Sequence, residues 1–170
     1  MSSNLHFIKS AKLTTTAGSI NLEDCFNDTY DVYYVALRNF NSDGSANTLY
    51  LRFLDSSNAV INSGSLYHRA QLSLNSGSSF SEETDTGGDR ITIGTVNADT
   101  AGVMNSIIYV FNPYNSSRYT YVNFQSSCRE LEARKGVGRL TQTSTIKGLQ
   151  IKSDNSDNMT QGNIVVYGVE

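Results

Sequence analysis

A chain of 170 residues, 38% apolar and 17% charged, with 10 Tyr, 7 Phe, no Trp and a formal net charge of −3, suits one domain around one core. The composition argues against a disordered chain, which needs more charge, and against a nucleic-acid binder, which needs clustered Lys and Arg. No stretch approaches the roughly 18 apolar residues of a membrane helix, and Met1 to Ser10 lacks the basic and apolar regions of a secretion signal. Neither nucleic acid nor membrane is therefore expected as a partner, and synthesis in a cytoplasm is.

Side chains alternate between two faces along most of the chain, and Ser, Thr, Asn and Gly fill the turns between. Residues 1–15 are expected to form an N-terminal arm or edge strand ahead of a single domain over 16–170. Tyr30 to Arg38 is a central strand, with Val32, Tyr34 and Ala36 on one face and Tyr33, Val35 and Leu37 on the other. Thr48 to Asp55 is a half-buried strand pointing Leu49, Leu51 and Phe53 inward. Leu66 to Leu74 alternates Leu66, His68, Ala70, Leu72 and Leu74 against Tyr67, Arg69, Gln71 and Ser73, which predicts a dry face of leucines and a wet face of polar residues. Asn75 to Asp89 is expected to be a long loop, followed by a short strand at Arg90 to Gly94.

Val103 to Phe111 forms a hairpin with Ser117 to Ser127 across Asn112-Pro113-Tyr114-Asn115, where the single proline marks the turn. Cys128 to Lys135 is a charged loop or two helical turns, too short to hold a helix alone. Leu140 to Thr145, Ile146 to Lys152 and Asn163 to Val169 supply the last strands. This spacing predicts an all-β protein, a two-sheet antiparallel jelly-roll β-sandwich of about eight strands.

Catalysis needs a nucleophile, base or carboxylate pair, and the supply is thin. His68 is expected to be a buried, hydrogen-bonded side chain, and Cys25 and Cys128 two buried thiols. GxSxG, HExxH and P-loop patterns are absent. The acidic run Glu82 to Asp89 has glycines able to bend round a calcium ion but lacks the EF-hand spacing, so a solvated loop is expected there. Tyr33, Tyr50, Tyr67, Tyr114, Tyr119 and Tyr121 offer either cross-strand packing or platforms for a glycan. No catalytic, metal or cofactor residue is assigned, and no enzyme activity is expected.

Two regions carry a resemblance. Tyr30 to Tyr67, with YDVYYVALRNF and TLYLRFL, and the C-terminal segments IKGLQI (146–151) and MTQGNIVVYGV (159–169), read as a closing hairpin, resemble small jelly-roll structural proteins of tailed-phage particles. The resemblance implies a virion protein assembled in the host cytoplasm, either a head decoration (cement) protein or a tail- or fibre-associated receptor-binding protein. Its partners would be the major capsid protein or another virion protein, with self-association as a homotrimer and, in the tail reading, a glycan. A fibre normally adds a coiled-coil shaft, and heptads are missing, which favours decoration. Contacts are expected from the arm and loops: Leu5, Phe7 and Ile8 in Met1 to Lys12, Asp85, Asp89 and Arg90 in Asp85 to Arg90, and Tyr114 and Arg118 in Asn112 to Arg118.

Overall fold

The computed structural model describes residues 4–44, 47–77, 79–98, 102–128, 132–154 and 157–170. These residues are all-β, with twelve strands in two antiparallel sheets. In chain order they are β1 (Leu5–Lys12), β2 (Ser19–Leu22), β3 (Val32–Ser42), β4 (Asn47–Leu54), β5 (Tyr67–Asn75), β6 (Ser79–Gly88), β7 (Ile91–Val96), β8 (Met104–Phe111), β9 (Thr120–Ser127), β10 (Glu132–Leu140), β11 (Gly148–Ser153) and β12 (Met159–Val169). The large sheet runs β1-β12-β3-β8-β9-β10-β5-β6 and the small one β2-β11-β4-β7. With β5, β6, β9 and β10 set aside, the remaining eight strands, renumbered in chain order, lie 1-8-3-6 and 2-7-4-5. The four extra strands widen the large sheet on one side.

Both sheets contribute to one buried cluster. Tyr33, Val35, Leu37, Ile108, Val110, Ile164 and Val166 come from the large sheet, and Leu49, Leu51, Phe53, Ile91, Leu149 and Ile151 from the small one. Side-chain alternation places these residues inward, as the sequence predicts for Leu49, Leu51 and Phe53 of β4; in β3 and β8 the sequence separates two faces without saying which is covered. β4 is buried more completely than expected. Tyr50 and Arg52, on its far face, are also covered, because the Arg52 and Arg90 guanidiniums lie 4.9 and 4.6 Å from the centre of the Tyr50 ring. At Gly138 a Cβ would stand 2.7 Å from Ile91 Cδ1, so glycine lets the small sheet's β7 approach β10 closely.

Five expectations are corrected. The run 79–88 is β6, paired along β5, and not a loop; residue 78 lies outside the described residues. Glu132 to Leu140 is β10, paired with β9 and β5, so the charged segment is extended, and residues 129–131 lie outside the described residues. Leu140 ends that strand, and 141–147 connect it to β11 without a strand of their own. The C-terminal segments do not pair with each other: β11 lies between β2 and β4, β12 between β1 and β3. The chain changes sheets between them, which alternation within each strand cannot reveal.

The fifth correction is the facing of β5. Tyr67, Gln71 and Ser73 are buried, while Leu72 and Leu74 stand exposed, and His68 is only half-buried on that outer side. The cause is hydrogen bonding. Tyr67 Oη accepts from the Phe53 amide of β4 and donates to the Ile61 carbonyl, both at 2.9 Å, and its ring stacks near that of Phe53. Because the side-chain period is two, anchoring Tyr67 inward turns the leucines outward. Replacing Tyr67 by Phe should strand a buried amide and a buried carbonyl and cost about 1–3 kcal/mol of stability; a urea midpoint unchanged from wild type would refute this role.

Candidate docking face

Residues paired directly across antiparallel strands share a face, so the registers define the outer face of the large sheet. One row reads Phe7, Tyr167, Tyr34, Tyr109, Asn123, Val137, Ala70 and Thr84 across all eight strands. No member of this row is charged. Above it run Leu5, Val169, Val32, Phe111, Tyr121, Arg139 and His68. Below it run Ser10, Val165, Ala36, Ile107, Gln125, Lys135, Leu72 and Glu82. Phe80 lies opposite Leu74 beyond these.

The aromatic members touch in sequence. Phe7 meets Tyr167 edge-on at 6.0 Å between ring centres, Tyr34 lies 6.1 Å from Tyr167 and 5.4 Å from Tyr109, and Tyr109 stacks at 6.5 Å from Phe111. Among the described residues, ten large apolar side chains remain exposed, and nine of them (Leu5, Phe7, Leu72, Leu74, Phe80, Ile107, Tyr109, Tyr121 and Val137) lie on this face. Phe80 and Phe7 are the most open, at 77% and 62% exposure. The tenth, Tyr119, immediately precedes β9.

Shallow hollows mark the face. One of about 260 Å³ is lined by Tyr121, Val137, Ala70, His68, Arg139 and Asp85. It shares Tyr121 with a hollow of about 510 Å³ that also holds Arg118, Tyr119 and Thr143. Arg139 lies 5.5 Å over the Tyr119 ring and 3.1 Å from His68 Nδ1, which fixes its guanidinium between them. His68 thus faces a cation rather than a nucleophile.

The opposite, inward side of β5, β6 and β10 is polar. Gln71 donates to Glu83 at 2.7 Å, while Arg69 and Arg134 lie 3.8 and 3.9 Å from the same carboxylate. Glu132 accepts from Thr95 of β7 at 2.7 Å, Arg134 at 2.6 Å and Ser73 at 3.2 Å. Burial works against the Glu132 charge, but the Thr95 and Arg134 bonds, with Ser73, outweigh it and hold the carboxyl below its usual range. This latch ties the added strands to the edge of the small sheet.

The sequence-predicted contact residues divide. Leu5 and Phe7 are on the outer face, and Ile8 turns partly into the core. Residues 1–3 lie outside the described residues. Asp85 accepts from the Gly87 amide at 2.9 Å, Asp89 pairs with Arg52, and Arg90 bonds Asp154 at 3.2 Å. Tyr114 sits half-buried in a hollow of about 220 Å³ with Tyr30, Asp28 and Asp31, and Arg118 borders the Tyr119 hollow. Sequence reasoning did not single out Tyr34, Tyr109, Tyr167, Val137, Leu72 or Phe80; a signal was present in the apolar residues on both faces of β3 and β8. Glu82 to Asp89 is extended rather than wrapped round an ion, and among the described residues no cluster of three metal-ligating side chains occurs. Cys25 and Cys128 are free and buried, and burial pushes the Cys25 thiol up to about 12.

No protein-family model matches the chain, and comparison with the curated proteins finds no similar one. Among the described residues, no helix is long and apolar enough to cross a membrane.

Two measurements check these environments. The folded-state lowering of Glu132 means that its stabilisation is present above the unfolded value near 4.5 and is lost as pH falls through the lower folded value. Urea midpoints should therefore drop less steeply below that pH in Glu132→Gln than in wild type; parallel acid limbs would contradict the latch. Cys25 and Cys128 should resist a thiol reagent in native buffer and react on unfolding, whereas rapid native labelling would show them accessible.

Proposed function

We propose that the eight strands ordered 1-8-3-6 and 2-7-4-5 are a two-sheet jelly-roll sandwich, and that the chain is a non-catalytic structural protein of a tailed-phage particle. In this reading it is a head decoration protein that is assembled in the host cytoplasm and binds across capsomer joints. The observation that carries an assembly role is the segregation of exposed apolar side chains, nine of ten on one sheet face. Scattered apolar residues need no partner, but a contiguous face of them favours one. The virion setting rests on the resemblance of Tyr30 to Tyr67 and of the C-terminal strands. A net charge of −3 suits an outer surface better than a genome-facing one.

A second reading, a tail-associated receptor-binding protein, draws on the hollows around Tyr119 and Tyr121. There, aromatic rings stand beside the fixed Arg139 guanidinium and beside Ser117 and Thr143, a combination that suits stacking and hydrogen bonding of a sugar. Electron microscopy of particles carrying a tagged copy separates the two. Hundreds of copies on the shell support decoration, a few tens or fewer on the tail support the second reading, and absence from the particle overturns both. Val137→Lys, at a solvent-facing position, should fold normally by circular dichroism yet lose at least about tenfold in particle association; full incorporation would remove the sheet face from the assembly role.

A further inference from the structure

We propose that the two open edges of the large sheet pair between copies, β6 of one adding antiparallel to β1 of the next, so that the sheet runs on from copy to copy. β1 and β6 end the strand order, and among the described residues each has one strand partner, β12 and β5. An edge strand presents unused backbone donors and acceptors, a template for a further strand. The eight strands are each antiparallel to their neighbours, so β1 and β6 run in opposite directions. A copy added in the same orientation therefore continues the antiparallel order.

Backbone hydrogen bonds point alternately to the two sides of a strand. The Leu13 amide donates to the Gly162 carbonyl at 2.9 Å, so Leu13 and Ala11 turn their backbone groups to β12, and Ser10 and Lys12 turn theirs to the open edge. At the start of β5, the Leu66 carbonyl accepts from the Thr141 amide beside β10 at 2.8 Å, so Arg69, Gln71 and Ser73 face β6. Their partners Asp85, Glu83 and Ser81 face back to β5, which leaves Glu82 and Thr84 directed to the open edge.

Charge then selects the register. β1 (LHFIKSAK) carries Lys9 and Lys12 and no acid, and β6 (SFSEETDTGG) carries Glu82, Glu83 and Asp85 and no base. Lys12, in register with Asn163 and Arg38, and Glu82, in register with Leu72 and Lys135, lie on the outer face. Lys9, in register with buried Val166, and Asp85, in register with Arg69, lie on the inward side. Setting Lys12 opposite Glu82 sets Ser10 opposite Thr84 and Lys9 opposite Asp85. Both lysines then meet an acid on a shared face, and the residues that bond toward the open edges coincide. A slip of two residues, the smallest that keeps the faces, leaves only Lys9 opposite Glu83 in one direction and no such pair in the other.

Lys12 and Glu82 form no ion pair among the described residues. Lys9 donates to the Glu23 carbonyl at 2.8 Å and Asp85 accepts from the Gly87 amide at 2.9 Å, contacts with neutral groups that leave each charge in place. Pairing β6 with β6 would gather acids and pairing β1 with β1 would gather lysines, so the unlike edges are favoured. Such a contact is head-to-tail, and it closes into a ring or runs on as an open array. It leaves the outer faces of successive copies side by side and uncovered, so it is separate from the particle association read with Val137→Lys.

Sedimentation equilibrium of the full chain tests the pairing. Wild type should self-associate. Thr84→Pro removes an amide directed only to the open edge, where a strand tolerates proline, so it should keep the wild-type circular dichroism spectrum and lose about tenfold or more in association. Lys12→Glu and Glu82→Lys should each weaken association about tenfold or more, because each sets like charges opposite one another at every junction. The double reversal should return to within about threefold of wild type, and an equimolar mixture of the two singles should associate more tightly than either alone. A wild-type monomer overturns the proposal, as does a folded Thr84→Pro that associates like wild type or a double reversal no tighter than the singles. Should Thr84→Pro fail to fold, the charge reversals decide.

Discussion

The hydroxyl of Tyr67 sets the facing of the added half of the large sheet. It bonds an amide on β4 and a carbonyl in the following connection, so it binds β5 to the other sheet at one defined residue. A strand anchored at one residue is anchored in register throughout, since a slip of one position exchanges its two faces. With Tyr67 inward, Gln71 and Ser73 follow it, and Leu72, Leu74 and the paired Phe80 face away from the core.

This arrangement is stable because the inward side is satisfied by polar contacts. The large sheet has twice as many strands as the small one, so apart from Tyr67, which reaches Phe53 of β4, β5 and β10 meet the small sheet mainly at its edge strand β7. Glu83 and Glu132 collect Gln71, Arg69, Arg134, Ser73 and Thr95 there, and the donors around Glu132 favour its charged form against the cost of burial. The apolar residues that alternation gives to these strands lie on the opposite side. The exposed apolar face is thus a consequence of unequal sheet widths as much as of composition.

The contrast between faces also limits the chemistry. Among the described residues the outer face carries Arg139, fixed by Tyr119 and His68, and the polar side chains Arg38, Asn123, Gln125 and Lys135 set singly along β3, β9 and β10. The acids with several partners lie on the inner side, where each is tied to a donor in the fold. A face of this composition is suited to contact over an area, with the hollows beside Tyr121 as its most sculpted part.

Much of the core was legible in the amino-acid order. The alternation in Tyr30 to Arg38, Val103 to Phe111 and Ser117 to Ser127 groups Tyr33 with Val35 and Leu37, Ile108 with Val110, and Val122 with Phe124, and each group is buried together, because period two is a property of the extended backbone itself; Leu49, Leu51 and Phe53 lie inward as expected. The Asn-Pro turn between β8 and β9 was equally plain, and Asn112 adopts the left-handed φ of 54° that asparagine tolerates. What alternation lacks is a sign. In Leu66 to Leu74 it separates leucines from polar residues correctly but does not say which set is covered, and a long-range hydrogen bond from Tyr67 to β4 decided that against hydrophobicity. Which strands pair, where the chain changes sheets, and which apolar side chains remain uncovered depend on contacts between distant segments, and those exist only once the two sheets have formed.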